Sequence, residues 1–465
     1  MSDGRRTSRL GPPLLAALLA AGPLQAQIVT DGSLGRRENL SGPQVEIGAD
    51  LGTRRGDNLF HSFERFGIAP GQTATFTGPG DIRNVISRVT GGEVSAIDGT
   101  LASRVGQADL YLLNPAGVVF GPNATLDLPG SLHVSTAHEL RFADGARFSA
   151  LDKAGSGLTV AAPEAFGFLD RTPGRIAVDQ SQLEVPAGRT LSVVGGDLDL
   201  VDGAHLTAVS GTINLVAAHS PGQVRISDGA VDAAKQGAIR VADQALIDVS
   251  GNGGGTIRVR GGTLEVQNSF MFADNTGERD STTGLDLQAG SIEISNSVVT
   301  ADVFGSGRGG AAKIKAGHLV IRNGGYISGS TFAGGNAGQV TVEAGHLVVS
   351  SDDSLYFTGI SSNAERGSTG AAGRVEIMAD TVEVRDGGTI SSTTFASGDA
   401  GTVGVRAGHL VVSGDGAPLF TRVTSSAEHG STGAAGGWRS RRTCWSCATA
   451  EQLPAQPSPA ATPAQ

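Results

Sequence analysis

The chain has 465 residues, a formal net charge of -10, 70 glycines, 5% aromatic and 17% charged residues. So many turn residues and so few large side chains exclude a deep helical core and point to an elongated all-β structure with a narrow core of Val, Leu, Ile and Ala. An acidic chain with no dense basic block ahead of its final stretch also excludes counterion-driven nucleic-acid binding.

Residues 1–26 read as a targeting segment. Arg5, Arg6 and Arg9 precede the apolar run Leu14-Leu-Ala-Ala-Leu-Leu-Ala-Ala21, and Pro23-Leu-Gln-Ala26 ends in a small residue suited to cleavage. The run is shorter than the roughly 20 residues that cross a bilayer, so a signal peptide removed near Gln27 is expected. Ile28-Val-Thr-Asp-Gly-Ser-Leu34 has the strand-and-turn character of a cap, which a stacked β structure needs because an open end exposes unpaired N–H and C=O groups. Next comes Asn58-Leu-Phe-His-Ser-Phe-Glu-Arg-Phe-Gly-Ile68, whose Phe60, Phe63 and Phe66 are expected to plug the cap.

From residue 84 the text reads Asn84-Val-Ile-Ser-Arg-Val-Thr-Gly-Gly92, then Ala108-Asp-Leu-Tyr-Leu-Leu-Asn-Pro-Ala-Gly-Val-Val-Phe-Gly-Pro-Asn123. Short β-rich runs at 109–113, 118–120, 124–128 and 131–136 alternate with breakers, the rhythm of strands joined by tight corners. In the tetrad Asn114-Pro115-Ala116-Gly117, Asn and Gly accept unusual backbone angles and Pro fixes one dihedral, so it forms a stable corner.

These runs resemble the N-terminal secretion domain of the filamentous-haemagglutinin family, the exoproteins of two-partner secretion. The family carries "N-L-F-H-S-F-x-x-F-x-(V/I)", "N-I-x-x-R-V-T-G-G" and "L-x-N-P-N-G-(I/V)-x-F-G". The segment Pro163-Glu-Ala-Phe-Gly-Phe-Leu169 resembles the end of that domain, which implies a secretion domain over residues 27–169. The resemblance further implies export to the periplasm in an extended state, capture by an outer-membrane β-barrel transporter with periplasmic recognition domains, and folding outside. This chain has Ala116 where the family has its second Asn, and it has no second Asn-Pro-Asn-Leu motif between Ile68 and Asn84. Transporter recognition is therefore expected to be spread over Asn58, Asn84, Arg88 and the corner Asn114, Pro115, Ala116 and Gly117.

Residues 170–436 repeat. Strands are expected to begin at Gly211, Gly255, Gly310, Gly338, Gly373 and Gly401, and the last four are 28, 35 and 28 residues apart. Two such units form a 63-residue repeat, with Ile327-Ser-Gly-Ser-Thr-Phe-Ala333 returning as Ile390-Ser-Ser-Thr-Thr-Phe-Ala396. Each unit holds an alternating strand, a small-residue corner such as Ala344-Gly345 or Ala407-Gly408, a second short strand and a loop. Neither face of such a strand sustains a fold alone; stacking the units as parallel strands predicts a right-handed parallel β-helix with an N-terminal cap, a rod on the order of 70–90 Å long. After Gly436 the register fails: Gly437-Trp-Arg-Ser-Arg-Arg-Thr-Cys-Trp-Ser-Cys447 and a Pro/Ala/Gln stretch follow, so residues 437–465 read as a disordered tail from a shifted frame or truncated gene.

Catalysis would need carboxylates converging on one face. Asp197/Asp199 and Asp352-Asp353 are the obvious pairs, the first on the solvated face of a strand, the second in a Ser-rich loop, and no His, Lys or Arg cluster recurs with either. His318, His346 and His409 recur in Ala-Gly-His-Leu at spacings of 28 and 63, too far apart in sequence for a zinc cluster. The Gly-rich loops lack a calcium-binding pattern, and Cys444-x-x-Cys447 is a lone pair. No cofactor, metal or catalytic residue is expected. The reading is a secreted or surface-exposed adhesin that binds a host or neighbour-cell receptor or glycan; the alternatives are a polysaccharide-active enzyme on the same β-helix and a truncated, non-functional exoprotein.

Overall fold

The computed structural model describes residues 27–442 apart from 282, 353 and 415–418. The targeting segment and Cys444-x-x-Cys447 lie outside the described residues, as does one half of Asp352-Asp353. Among the described residues there is no α-helix, only a short 3-10 turn at Ala49–Leu51. The chain winds as a right-handed parallel β-helix with an N-terminal cap.

Each coil adds to a broad 21-stranded sheet and to a narrow 13-stranded sheet. One turn shows the pattern. Ala311–Arg322 lies in the broad sheet, Tyr326–Ser328 in the narrow one, and Val340–Ser350 returns in register above the first, pairing Ala312 with Val340 and Arg322 with Ser350. Within Val340–Ser350 the buried apolar residues are Val340 and Val342, then Leu347 and Val349. The parity shifts by one across Ala344-Gly345, so the strand turns a corner there and both arms still point inward. The two strands expected on either side of that corner are thus one hydrogen-bonded ladder with a bend.

The glycines that open each unit are required sterically. A Cβ at Gly338, Gly373, Gly401 or Gly436 would collide with the carbonyl of the corresponding glycine one coil earlier. Twelve steps between the thirteen narrow strands, at ~4.8 Å each, give a stack of about 58 Å. This is shorter than expected because the chain leaves the stack twice to build a third, five-stranded antiparallel sheet from Glu139–Phe142, Arg147–Ser149, Pro163–Phe168, Gly222–Arg225 and Val231–Ala233.

That sheet is a flap over the outer face of the first coils and creates a second core. Alternation along Asn58–Phe66 sends Leu59 and Phe63 into the coil interior and Phe60 outward. Phe60 packs on Phe148 and Phe142 of the flap, with ring centroids at 5.1 and 5.8 Å. Phe63 and Phe66 do fill the coil core, but Phe60 does not: alternation from Leu59 to Phe63 places Phe60 on the opposite face, and a register shift at Glu64 turns Phe66 back inward. Pro163–Phe168 is the central strand of this flap and pairs with Gly222–Arg225. The physical unit therefore continues past Leu169. At the other end, Gly437–Arg442 forms a strand in parallel register with Thr402–Ala407, so this part of the expected tail is ordered.

Candidate secretion element

The three motifs read from sequence are three consecutive coils of one stack. Asn58–Phe66 pairs with Asn84–Val89, which pairs with Asp109–Leu113. At their starts, Asn84 Nδ2 donates to Asn58 Oδ1 at 2.8 Å, and Asn58 Nδ2 donates to the carbonyls of Thr159 and Ala161 at 2.9 and 2.7 Å. Asn58 is 1% exposed and spends its amide tying the first coil to the flap.

Arg88 is also 1% exposed, and it joins four separate segments. Its Nε donates to Ser62 Oγ at 2.8 Å; its terminal nitrogens donate to the Ser149 carbonyl, Ser156 Oγ and Ser33 Oγ at 2.5, 2.6 and 3.2 Å. The guanidinium lies 4.3 Å from the Phe148 ring centroid. Burial pulls its pKa down to about 10, against the attraction of Asp31 and Asp152, so it stays charged. Asp31 sits in the same cluster. Burial works against its charge, but hydrogen bonds from Ser33, Ser62 and Thr90 prevail and hold it at about 2. Sequence reading passed over Asp31; its position inside the cap segment gave no sign that Ser62 and Thr90 would converge on it.

The tetrad is a tight turn, with the Gly117 amide donating to the Asn114 carbonyl at 3.1 Å. Asn114 is fully buried. Its Nδ2 donates to the Glu93 carbonyl and Ser95 Oγ, both at 2.9 Å, and its Oδ1 accepts the Ala116 amide at 3.0 Å. Gly117 has φ of +127°, a region that favours glycine. Pro115 and Ala116 are half-buried. Above them Gly174 approaches so closely that a Cβ there would meet the Ala116 carbonyl carbon at 2.5 Å. The corner continues as a column through Gly196, Gly237, Gly262, Gly290, Gly317 and Gly345, each lying over the carbonyl of its predecessor or that residue's neighbour. Residues 90–94, which carry the Thr-Gly-Gly of the second motif, form the same corner one coil earlier. Both excursions to the flap, near 136–175 and 218–237, depart from this column.

Other sequence expectations change in three dimensions. His318 and His346 are register partners with ring centroids 6.1 Å apart, because 28 residues is one coil; sequence distance does not separate them. His346 Nε2 lies 3.1 Å from Glu383 Oε1. Asp199 is not solvated: its side chain is 15% exposed, 2.8 Å from Arg175, and burial raises its pKa. Asp197 accepts from the Ala238 amide at 2.7 Å and lies 3.1 Å from His219 Nε2. Basic partners absent from the linear neighbourhood come from adjacent coils.

The model of the TPS secretion domain matches residues 26–269, more than half of the chain. No curated protein sequence matches it. Among solved structures, the chain is similar to the HMW1 secretion domain from Haemophilus influenzae, at 17% identity and a TM-score of 0.54, covering 86% of this chain and 96% of that one. The filamentous hemagglutinin secretion domain aligns at 14% identity with a TM-score of 0.28, over 90% of this chain and 98% of that one. The first likeness is one of fold. The family match runs across the three stacked motifs, the flap and the first continuous coils, and by it the chain belongs to the TPS secretion domain family.

Proposed function

We propose that this chain is a two-partner-secretion exoprotein that crosses the outer membrane through its cognate transporter and serves as an adhesin, presenting the faces and loops of its rod to a receptor or glycan on another cell. Export follows from the family. The adhesive role is supported by the long solvated rod, whose outward faces and loops repeat coil after coil.

One observation carries the mechanism: Asn58, Arg88 and Asn114 are buried and fully engaged in the folded state. A transporter reads such side chains only before the coils close. The same side chains then become the ties between coils, so recognition and folding compete for them, and each coil stacked outside removes the motifs from the periplasmic side. Folding is thereby coupled to exit without another energy source.

The test is a blot of culture medium from cells that make the chain with and without its transporter, alongside Asn114→Ala. The wild-type chain should appear in the medium only with the transporter. Asn114→Ala removes two donated bonds and the acceptor for Ala116, a cost of about 2–3 kcal/mol, and export should fall. Export of both chains in the absence of the transporter would refute the proposal.

A further inference from the structure

Phenylalanine changes sides halfway along the chain. All nine up to Phe168 are buried, whereas none of the seven beyond it is. Phe270, Phe304, Phe332, Phe357 and Phe420 are 39%, 52%, 44%, 38% and 87% exposed. Scattered exposed rings need no explanation, but an aligned set does.

These rings share one face of the rod, the outside of the narrow sheet and its two flanks. Met271, Val299 and Ile327 point inward, so alternation turns Phe270, Val298 and Tyr326 outward, and these three are register partners on successive coils. Phe357 continues the ridge, its ring 5.8 Å from Tyr326 and close over Gly359, the register partner of Tyr326. Phe420 stands two residues before Arg422 as Phe357 stands two before Gly359, which places it on the same flank two coils on. Along the opposite flank Phe304 and Phe332 stack at 5.0 Å and 8°, and Phe395 stands two coils beyond Phe332 in their column, with Glu365 between them. Between the ridges run Thr300, Ser328, Ser361 and Ser391, small and at most 5% exposed.

The exposed fractions of the five Phe, with Leu355 at 76% and Tyr356 at 74%, amount to on the order of 800 Å² at ~200 Å² per side chain. That exceeds the largest apolar patch of an ordinary soluble monomer and equals the roughly 800 Å² per partner of a stable protein pair. Charges in and beside this flank are of both signs: Arg308 lies 3.9 Å from Asp280, and Glu365, within the column, adjoins Arg366. Charges of both signs complement their own copy turned about a two-fold axis, and they give no purchase to a polymer of single charge. Ridges with a step of ~4.8 Å also match only a surface of the same step.

We propose that this face packs against the same face of a second copy, pairing two rods side by side. The test is sedimentation velocity of the purified mature chain over a concentration series, beside the variant Phe304→Ser/Phe332→Ser/Phe420→Ser, whose fold is checked by circular dichroism and melting. All three sites are exposed, so the variant should melt as the wild type does. The wild type should double in mass with concentration, and the variant should dimerise at least tenfold more weakly. A variant with an altered melt is replaced by Leu355→Ser/Tyr356→Ser, read in the same way. A wild-type chain that stays monomeric, or a folded variant that pairs as the wild type does, would overturn the proposal. So would a monomeric wild type that binds a glycan-coated surface through these rings, since the face would then be a glycan site.

Discussion

Replacing Asp302 by Asn should stabilise the rod at neutral pH and above. Asp302 is 6% exposed, and Asp274 lies one coil earlier with its Oδ1 2.7 Å from the Asp302 amide. Burial first, then the Asp274 charge, raise the Asp302 carboxyl to about 8, although Ser328 and the Ser330 amide donate to it at 2.6 Å. Burial likewise raises Asp274 to about 6. Because the folded pKa lies above the ordinary carboxyl value, the native state favours the protonated form. No penalty exists below about pH 4, and it grows as pH rises from there towards 8. At ~1.4 kcal/mol per unit the ceiling is several kcal/mol, and relaxation of the site reduces the expected gain from Asn to about 2–4 kcal/mol near pH 8. The protein supplies its own precedent. Two coils on, Asn363 holds the same ladder position, and its Oδ1 accepts from Ser391 Oγ at 3.1 Å and the Thr393 amide at 2.9 Å without any charge. Urea unfolding of the full chain at pH 5, 7 and 8.5, with hydrogen exchange resolved over residues 298–332, measures the effect. The wild type should lose stability in these coils as pH rises, and Asp302→Asn should be flat. A wild-type response that is itself flat, or an Asn variant less stable at pH 8.5, would refute the reasoning.

Three further outcomes follow from the geometry. Arg88→Met should cost about 3–5 kcal/mol, because it leaves the Ser149 carbonyl and the Ser33, Ser62 and Ser156 hydroxyls without their charged donor and unties the flap; limited proteolysis should then cut near residues 143–160, and Arg88→Lys should rescue only partly, since an ammonium cannot span the same oxygens. His61 is fully buried with neither ring nitrogen partnered, and burial lowers it to about 4, so cap stability should be complete above pH 6.5 and fall as pH drops from there towards 4. His133, also lowered to about 4 by burial, adds to that slope, so His61→Phe should reduce it without abolishing it in pH-dependent melts. Gly373→Ala should cost more than ~3 kcal/mol by driving a methyl into the Gly338 carbonyl, and calorimetry should then show the coils on either side melting separately.

How far the sequence was legible differs between the rod and the secretion element. Alternation such as Val340, Val342 against Thr341, Glu343 exposes one buried and one solvated face within five residues, and the recurrent glycines mark where coils touch; both are local and repeat, so the β-helix could be read directly. The Ala-Gly corners were equally plain. The tetrad could be read as a turn, but not as the root of a column of glycines, since Gly174, Gly196 and Gly237 acquire that role only by lying above one another.

Composition, period and corner residues therefore determined on their own that this chain stacks parallel coils, because each of those signals acts within one turn of the helix. Only the tertiary structure decided which outward faces remain outward. The flap converts the outer face of the first coils into a second core and buries Phe60, Asn58 and Arg88. Farther along, where no flap reaches, the same outward column of the broad sheet carries Arg258, Asp286, Lys313 and Thr341, and the exposed phenylalanines stand instead on the narrow sheet and its flanks. Pairings across 61 residues for Arg88 and Ser149, or 101 for Asn58 and Thr159, depend on where the chain leaves the stack and returns, and no local pattern encodes that.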